Sequence, residues 1–211
     1  MSRYSQVLSN KSGQYLLISS FPARMAYGMI SLSIFFMVQQ STGSIAIAGL
    51  ATGVNGITGA TTAGLRGTLI DRFGMKIPLR FFAPSYALLI LLFSTGSSKA
   101  ELVIFAAVLG FSAPPINLSI RPLWKVTVPA NQIRTAYAID TAAMNSVGVF
   151  GPLIATTVSL NYSPQASLQI CSLLIFIGGV GLSLSPQLKT WKPERKSSSD
   201  LAVWRTPAMQ L

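Results

Sequence analysis

Gly67-Thr68-Leu69-Ile70-Asp71-Arg72-Phe73-Gly74-Met75-Lys76-Ile77-Pro78-Leu79 is a short, glycine-punctuated segment crowded with charge. It interrupts two long stretches that carry none. Upstream, Met25–Leu65 has no Asp, Glu, Lys or Arg, and downstream, beyond Arg80, neither has Phe81–Ser98. A charged loop between apolar runs fits a turn at a membrane surface, where a chain that has crossed about 30 Å of hydrocarbon reverses and crosses again. The residue types suit the task. Gly67 lets a neighbouring helix come close, Asp71 can pair with the cations around it, and Gly74 can take the positive φ of a tight reversal.

The whole chain repeats this contrast. Of its 211 residues 50% are hydrophobic and only 10% are charged, against about 25% charged in an average soluble domain. The mean hydropathy is +0.53. A soluble globular enzyme is excluded. The 16 Lys and Arg outweigh 5 Asp and Glu for a net charge of +11, but nucleic-acid binders place such charge on a polar surface. The expected partner is therefore a lipid bilayer, with no nucleic acid. With no His and a single cysteine, Cys171, the chain has no zinc set, no internal disulfide and no imidazole acid or base. No metal or cofactor is expected. A membrane enzyme would lack its nucleophile–base pair, and Cys171 reads as a small packing residue.

Two further charge-free runs, Leu102–Ile120 and Thr141–Leu188, complete the pattern. A helix needs about 20 apolar residues to cross a bilayer, so each short run holds one span and each long run two. The polar segments Gln39–Ser44 and Asn161–Gln165 divide the long runs. Six spans are predicted: Ser19–Val38, Ile45–Leu69, Phe81–Ser97, Leu102–Ile120, Thr141–Leu160 and Ala166–Leu184. The first can begin as early as Tyr15, which puts Arg24 inside the helix near its end, its long side chain snorkelling to the interface. The apolar segment is too long for a cleaved signal peptide.

Of the 16 Lys and Arg, Lys99 alone falls on one side of the membrane. The positive-inside rule then places both termini in the cytoplasm of a multi-pass protein of the cell (inner or plasma) membrane. Residues 1–188 form the membrane domain, and 189–211 read as a mobile, polar cytoplasmic tail. The sequon-like Asn161-Tyr162-Ser163 falls in an outer loop of only a few residues, too close to the membrane to serve as a glycan acceptor.

Span two carries Gly49, Gly53, Gly56, Gly59, Gly64 and Gly67, mostly three or four residues apart. Such a stripe serves either close helix packing or a smooth face along which neighbours rock. Pro114-Pro115 in span four remove two backbone donors and should kink or open the helix, with Ser112, Asn117 and Ser119 near enough to satisfy freed carbonyls. The uncharged polar residues Asn55, Thr58, Ser112, Asn117 and Asn145 are candidates to line a cavity for a mixed polar and apolar solute; interhelical hydrogen bonding is the competing role for each.

The loop that opens this section resembles the signature of the major facilitator superfamily, Gly-x-Leu-x-Asp-Arg-x-Gly-Arg-Lys-x-x-Leu. Gly67, Leu69, Asp71, Arg72, Gly74, Lys76 and Leu79 match, and Met75 stands where the first basic residue belongs. Span five carries Gly148, Gly151 and Pro152, similar to a glycine–proline motif of proton-driven drug exporters in this family, with the first glycine one position out of register. The resemblance covers residues 15–188. It implies an all-α integral membrane fold, half of a major facilitator bundle, built from two inverted three-helix repeats (15–98 and 99–188). It also implies a second six-helix half, or a second copy of the chain, as partner.

Asp71, Arg72, Arg121 and Asp140 all fall at the cytoplasmic ends of spans, and are expected to form a charge lock there that holds an outward-open state. The simpler role for Asp140 is an acidic residue at a helix N-terminus. No carboxylate is expected deep in the membrane. The functional expectation is a half-size or truncated secondary transporter moving a small solute by alternating access, with export as one direction. The competing reading is a non-transporting remnant, scaffold or regulator that keeps the half-fold.

Overall fold

The computed structural model describes residues 3–190; the predicted tail, apart from its first two residues, lies outside them, and of Lys189 and Thr190 only the backbone is described. The described residues form helices α1 (Arg3–Ser9), α2 (Lys11–Thr42), α3 (Ile45–Thr61), α4 (Ala63–Phe73), α5 (Lys76–Phe93), α6 (Lys99–Ser112), α7 (Ile116–Thr127), α8 (Ile133–Asn161), α9 (Pro164–Ser183) and α10 (Gln187–Thr190). A short 3₁₀ turn, Ala130–Gln132, leads into α8. The fold is an all-α membrane bundle. Five helical stretches are long and apolar enough to cross a bilayer, with α6 and α7 counted as one, and α3 is a shorter apolar helix. Its 17 residues span about 26 Å at 1.5 Å per residue, and α4 follows it across a break at Thr62.

Local chemistry sets the ends. Serine caps start α3, α6 and α9, all at the same end of the bundle: Ser44, Ser98 and Ser163 accept from the backbone N–H of Ile47, Glu101 and Ala166. Each satisfies a donor that the first turn leaves open. At the other end Asn10 accepts from the N–H groups of Ser12 and Gly13 to start α2. Gly43 ends α2 with φ 68°, and Gly74 turns the chain between α4 and α5 with φ 74°.

Two spans are broken within the bundle. The fourth opens at Ala113-Pro114-Pro115, as the prolines require. The second, expected as one helix from Ile45 to Leu69, is interrupted at Thr62. The hydroxyls of Thr58, Thr61 and Thr62 donate back to carbonyls one turn earlier, a pattern that bends helices. Arg66 Nη2 also donates to the Gly59 carbonyl. The remaining spans run longer than predicted, α2 starting at Lys11 and α8 at Ile133.

The first span, α2, is the centre of the bundle and packs on α9, α8, α3 and α7, while α5 packs on α9 and α3 on α6. The contact of span one with span five is thus matched by the contact of span four with span two, the exchange expected of two repeats. Small residues permit both. A Cβ on Gly151 would lie 2.6 Å from the backbone of Gly28, and a Cβ on Gly110 would collide with Asn55 and Thr58. Gly178 and Gly179 wedge α9 against Ala23 and Ala83. The span-two stripe behaves otherwise: Gly49, Gly53, Gly56, Gly64 and Gly67 meet nothing within 4 Å, and only Gly59 approaches a neighbour, Gly110. Its packing role within this bundle is therefore confined to Gly59. Polar staples complete the core: Ser33 Oγ lies 2.7 Å from Ser167 Oγ, and Ser172 donates to the Ala87 carbonyl at 2.8 Å. Cys171 is buried beside Ser33.

Candidate functional site

A charged residue within an apolar span must find a partner or reach water. Arg24, midway along α2, finds a partner. Its Nη1 donates to Asp140 Oδ1 of α8 at 2.6 Å, and the two side chains are 3% and 4% exposed. The expectation that Arg24 snorkels to the interface is therefore corrected, because the guanidinium is enclosed by the bundle. Asp140 stands 21 residues before Asn161 (161 − 140), about 32 Å at 1.5 Å per residue. The pair thus sits toward the basic end of the bundle, walled by helices.

The pair lies at the edge of a cavity of about 420 Å³ lined by Arg24, Asn117, Leu118, Arg121, Asp140, Thr141 and Met144. α2, α7 and α8 contribute the walls. The break before α7 brings Asn117 and Leu118 to this wall, and they also line a smaller adjoining cavity of about 170 Å³ with Tyr27, Ala63, Arg66, Pro114 and Pro115. Here the carbonyls released by the broken helix are taken up: Tyr27 donates to Pro114 O at 2.6 Å and Arg66 Nη1 to Ala113 O at 3.0 Å. Ser119 donates to the Pro115 carbonyl at 2.9 Å. An open backbone at this depth is tolerated because it faces protein and a cavity instead of lipid.

Of the four residues expected to form a charge lock, Asp140 has the partner seen most clearly. Asp140 gives its carboxylate to Arg24, a residue outside the predicted set, because α2 and α8 pack face to face. Arg121 lines the same cavity, with its guanidinium 6.0 Å from the Tyr137 ring centre. Arg72 lies over the ring of Phe73, and Asp71 is exposed on α4. Of the cavity candidates, Asn117 lines both cavities. Asn55 is buried and donates to Ala106 O at 3.0 Å, joining α3 to α6. Thr58 and Ser112 donate to their own helices, and Asn145 is exposed on α8. In the loop signature, Leu79 is buried and Gly67 meets no neighbour within 4 Å; Leu69 and Lys76 are half-buried. Gly151 is the close-contact glycine of the span-five motif, followed by half-buried Pro152, whereas Gly148 meets nothing within 4 Å.

Sequence reasoning missed Arg24 and Arg66 as site residues. The one signal for Arg24 was a cation within an apolar span of a chain with only 5 acids, and it did not say which acid would meet it. Arg66 carried no such signal, since its acceptors are carbonyls exposed only by the breaks.

A family model described as the major facilitator superfamily matches residues 16–209. No curated protein and no solved structure matches the chain. With nearly the whole chain matched, and spans that pack in the exchanged pattern of two repeats, the chain belongs to the major facilitator superfamily, a family of membrane transporters.

Proposed function

We propose that these six spans are one six-helix unit of a secondary transporter, working by alternating access with the Arg24–Asp140 cavity on its solute path. The observation that carries this reading is the enclosed ion pair at the wall of a cavity of about 420 Å³ between α2, α7 and α8. Buried ion pairs add little net stability, because desolvation offsets attraction, so packing alone does not account for one. A pair that exchanges partners between two states would bias their balance. In this proposal the termini and the Arg72/Lys76/Arg80 loop face the cytoplasm of the cell membrane, and no enzymatic step takes part. Efflux is the direction that the span-five glycine–proline motif favours.

A second six-helix half, or a second copy, would cover the far side of the cavity. The uncovered glycines of α3 supply a face on which another helix can pack closely. The test uses Asn117→Cys in the full chain, reconstituted in lipid vesicles and labelled by impermeant thiol reagents from each face, after Cys171→Ser. Labelling from both faces in proportions that shift with added solute is the expected result. Labelling from one face under every condition refutes alternating access, and crosslinking of the same sample reports whether copies pair.

A further inference from the structure

The charges around the cavity are unbalanced. Arg24 and Arg121 face one carboxylate, Asp140, and the adjoining cavity adds Arg66 and no acid. Asp140 accepts from one Arg24 nitrogen, Nη1, while Arg24 Nε is buried with no hydrogen-bond partner. An arginine offers five donors in a planar fork suited to carboxylates, and a buried charged donor left unsatisfied is costly. Asn117 and Thr141 add neutral donors beside it, and Leu118 and Met144 supply an apolar wall.

We propose that this cavity is an anion site for a small organic monocarboxylate. Its carboxylate takes Arg121 and Asn117 and lies against the edge of the Arg24 guanidinium that faces the cavity, while its hydrocarbon part lies against Leu118 and Met144. Asp140 is the resident counter-ion that holds the Arg24 fork in position when the site is empty. A single anionic charge balances the pair of arginines against Asp140. A cation would meet Arg121 and compete with Arg24 for the one acid. The volume fits: pockets of about 300–1,000 Å³ hold small molecules. This inference rests on the transport reading for the role of the cavity, but it concerns binding and is tested as binding.

The full chain is placed in phosphatidylcholine nanodiscs and its thermal unfolding followed with benzoate, benzamide and benzylammonium, which share a ring and differ in charge. Benzoate is expected to raise the unfolding temperature saturably, with the neutral and cationic analogues inert. Arg121→Gln, at an exposed position, should weaken benzoate by about tenfold or more, as loss of a charge-assisted bond does, without lowering the unfolding temperature of the ligand-free protein. Equal responses to benzamide or benzylammonium overturn the proposal, as does no response to acetate, lactate or benzoate. A benzoate response unchanged by Arg121→Gln does the same. Repeating the titration with phosphatidylglycerol present separates solute from lipid headgroup: a response abolished by that lipid assigns the site to lipid and overturns the solute proposal. Flux in vesicles is a separate readout. Benzoate binding without any solute movement leaves the anion site standing and sinks the transport reading; movement of benzylammonium without benzoate binding does the reverse.

Discussion

Removing either member of the Arg24–Asp140 pair should be far more damaging than removing both. At 2.6 Å, with side chains 3% and 4% exposed, the attraction is about 6 kcal/mol at an effective dielectric constant near 20. Desolvation costs several kcal/mol per ion, so the intact pair is close to break-even against neutral residues. Arg24→Gln strands the Asp140 carboxylate, and Asp140→Asn strands the guanidinium; each should destabilise by about 3–5 kcal/mol. The double variant Arg24→Gln/Asp140→Asn, whose two amides can still hydrogen-bond, should lie within about 2 kcal/mol of the parent, reading against the same near break-even. The assay is equilibrium unfolding of the four proteins in mixed micelles, each in a background with Trp191 and Trp204 replaced by Phe so that fluorescence reports buried Trp124, with engineered cysteines at both ends reporting accessibility. Strong non-additivity is the prediction. If the losses of the single variants simply add in the double, the two charges are not coupled, and the argument for an enclosed pair fails.

Other predictions use different contacts. Gly151→Val forces side-chain atoms into the Gly28 backbone, already 2.6 Å from an ideal Cβ, and should cost about 1–3 kcal/mol of stability by overpacking; thermal unfolding reads it. Gly53→Ala on the uncovered α3 face should be neutral or slightly stabilising for the isolated chain, by about 0.5–1 kcal/mol, while reducing crosslinking between copies. Arg66→Met leaves the Ala113 and Gly59 carbonyls without this donor and should destabilise by about 1–3 kcal/mol per buried acceptor. Hydrogen exchange should then rise around Thr62 and Ala113 together. For topology, Ser97→Cys should label from outside intact cells and Arg80→Cys only after permeabilisation, each in a Cys171→Ser background; reversed labelling refutes the orientation.

The spans were legible because a bilayer demands long charge-free runs, and this chain keeps most of its charges, though not Arg24, Arg66 or Asp140, near the turns. The break at Pro114-Pro115 could be read directly, since proline removes donors wherever it stands. The break at Thr62 could not, because threonines occur in many straight helices and the deciding acceptor, Gly59, is claimed by an arginine seven residues further on. Glycine spacing marked a stripe on span two, but spacing assigns a face and not its neighbour. The tight approaches fell instead to glycines outside that stripe: Gly28, Gly110, Gly151 and the pair Gly178 and Gly179. Arg24 and Asp140 are 116 residues apart, and their meeting depends on α2 crossing α8, which no local pattern encodes.

Arg66 has a mechanical consequence. Its guanidinium donates to Gly59 on one side of the Thr62 interruption and to Ala113 at the opening of the fourth span. One planar group therefore pins two joints at once. A bend at either joint would have to carry or break the hydrogen bond at the other, so this one side chain ties an opening in the first repeat to an opening in the second.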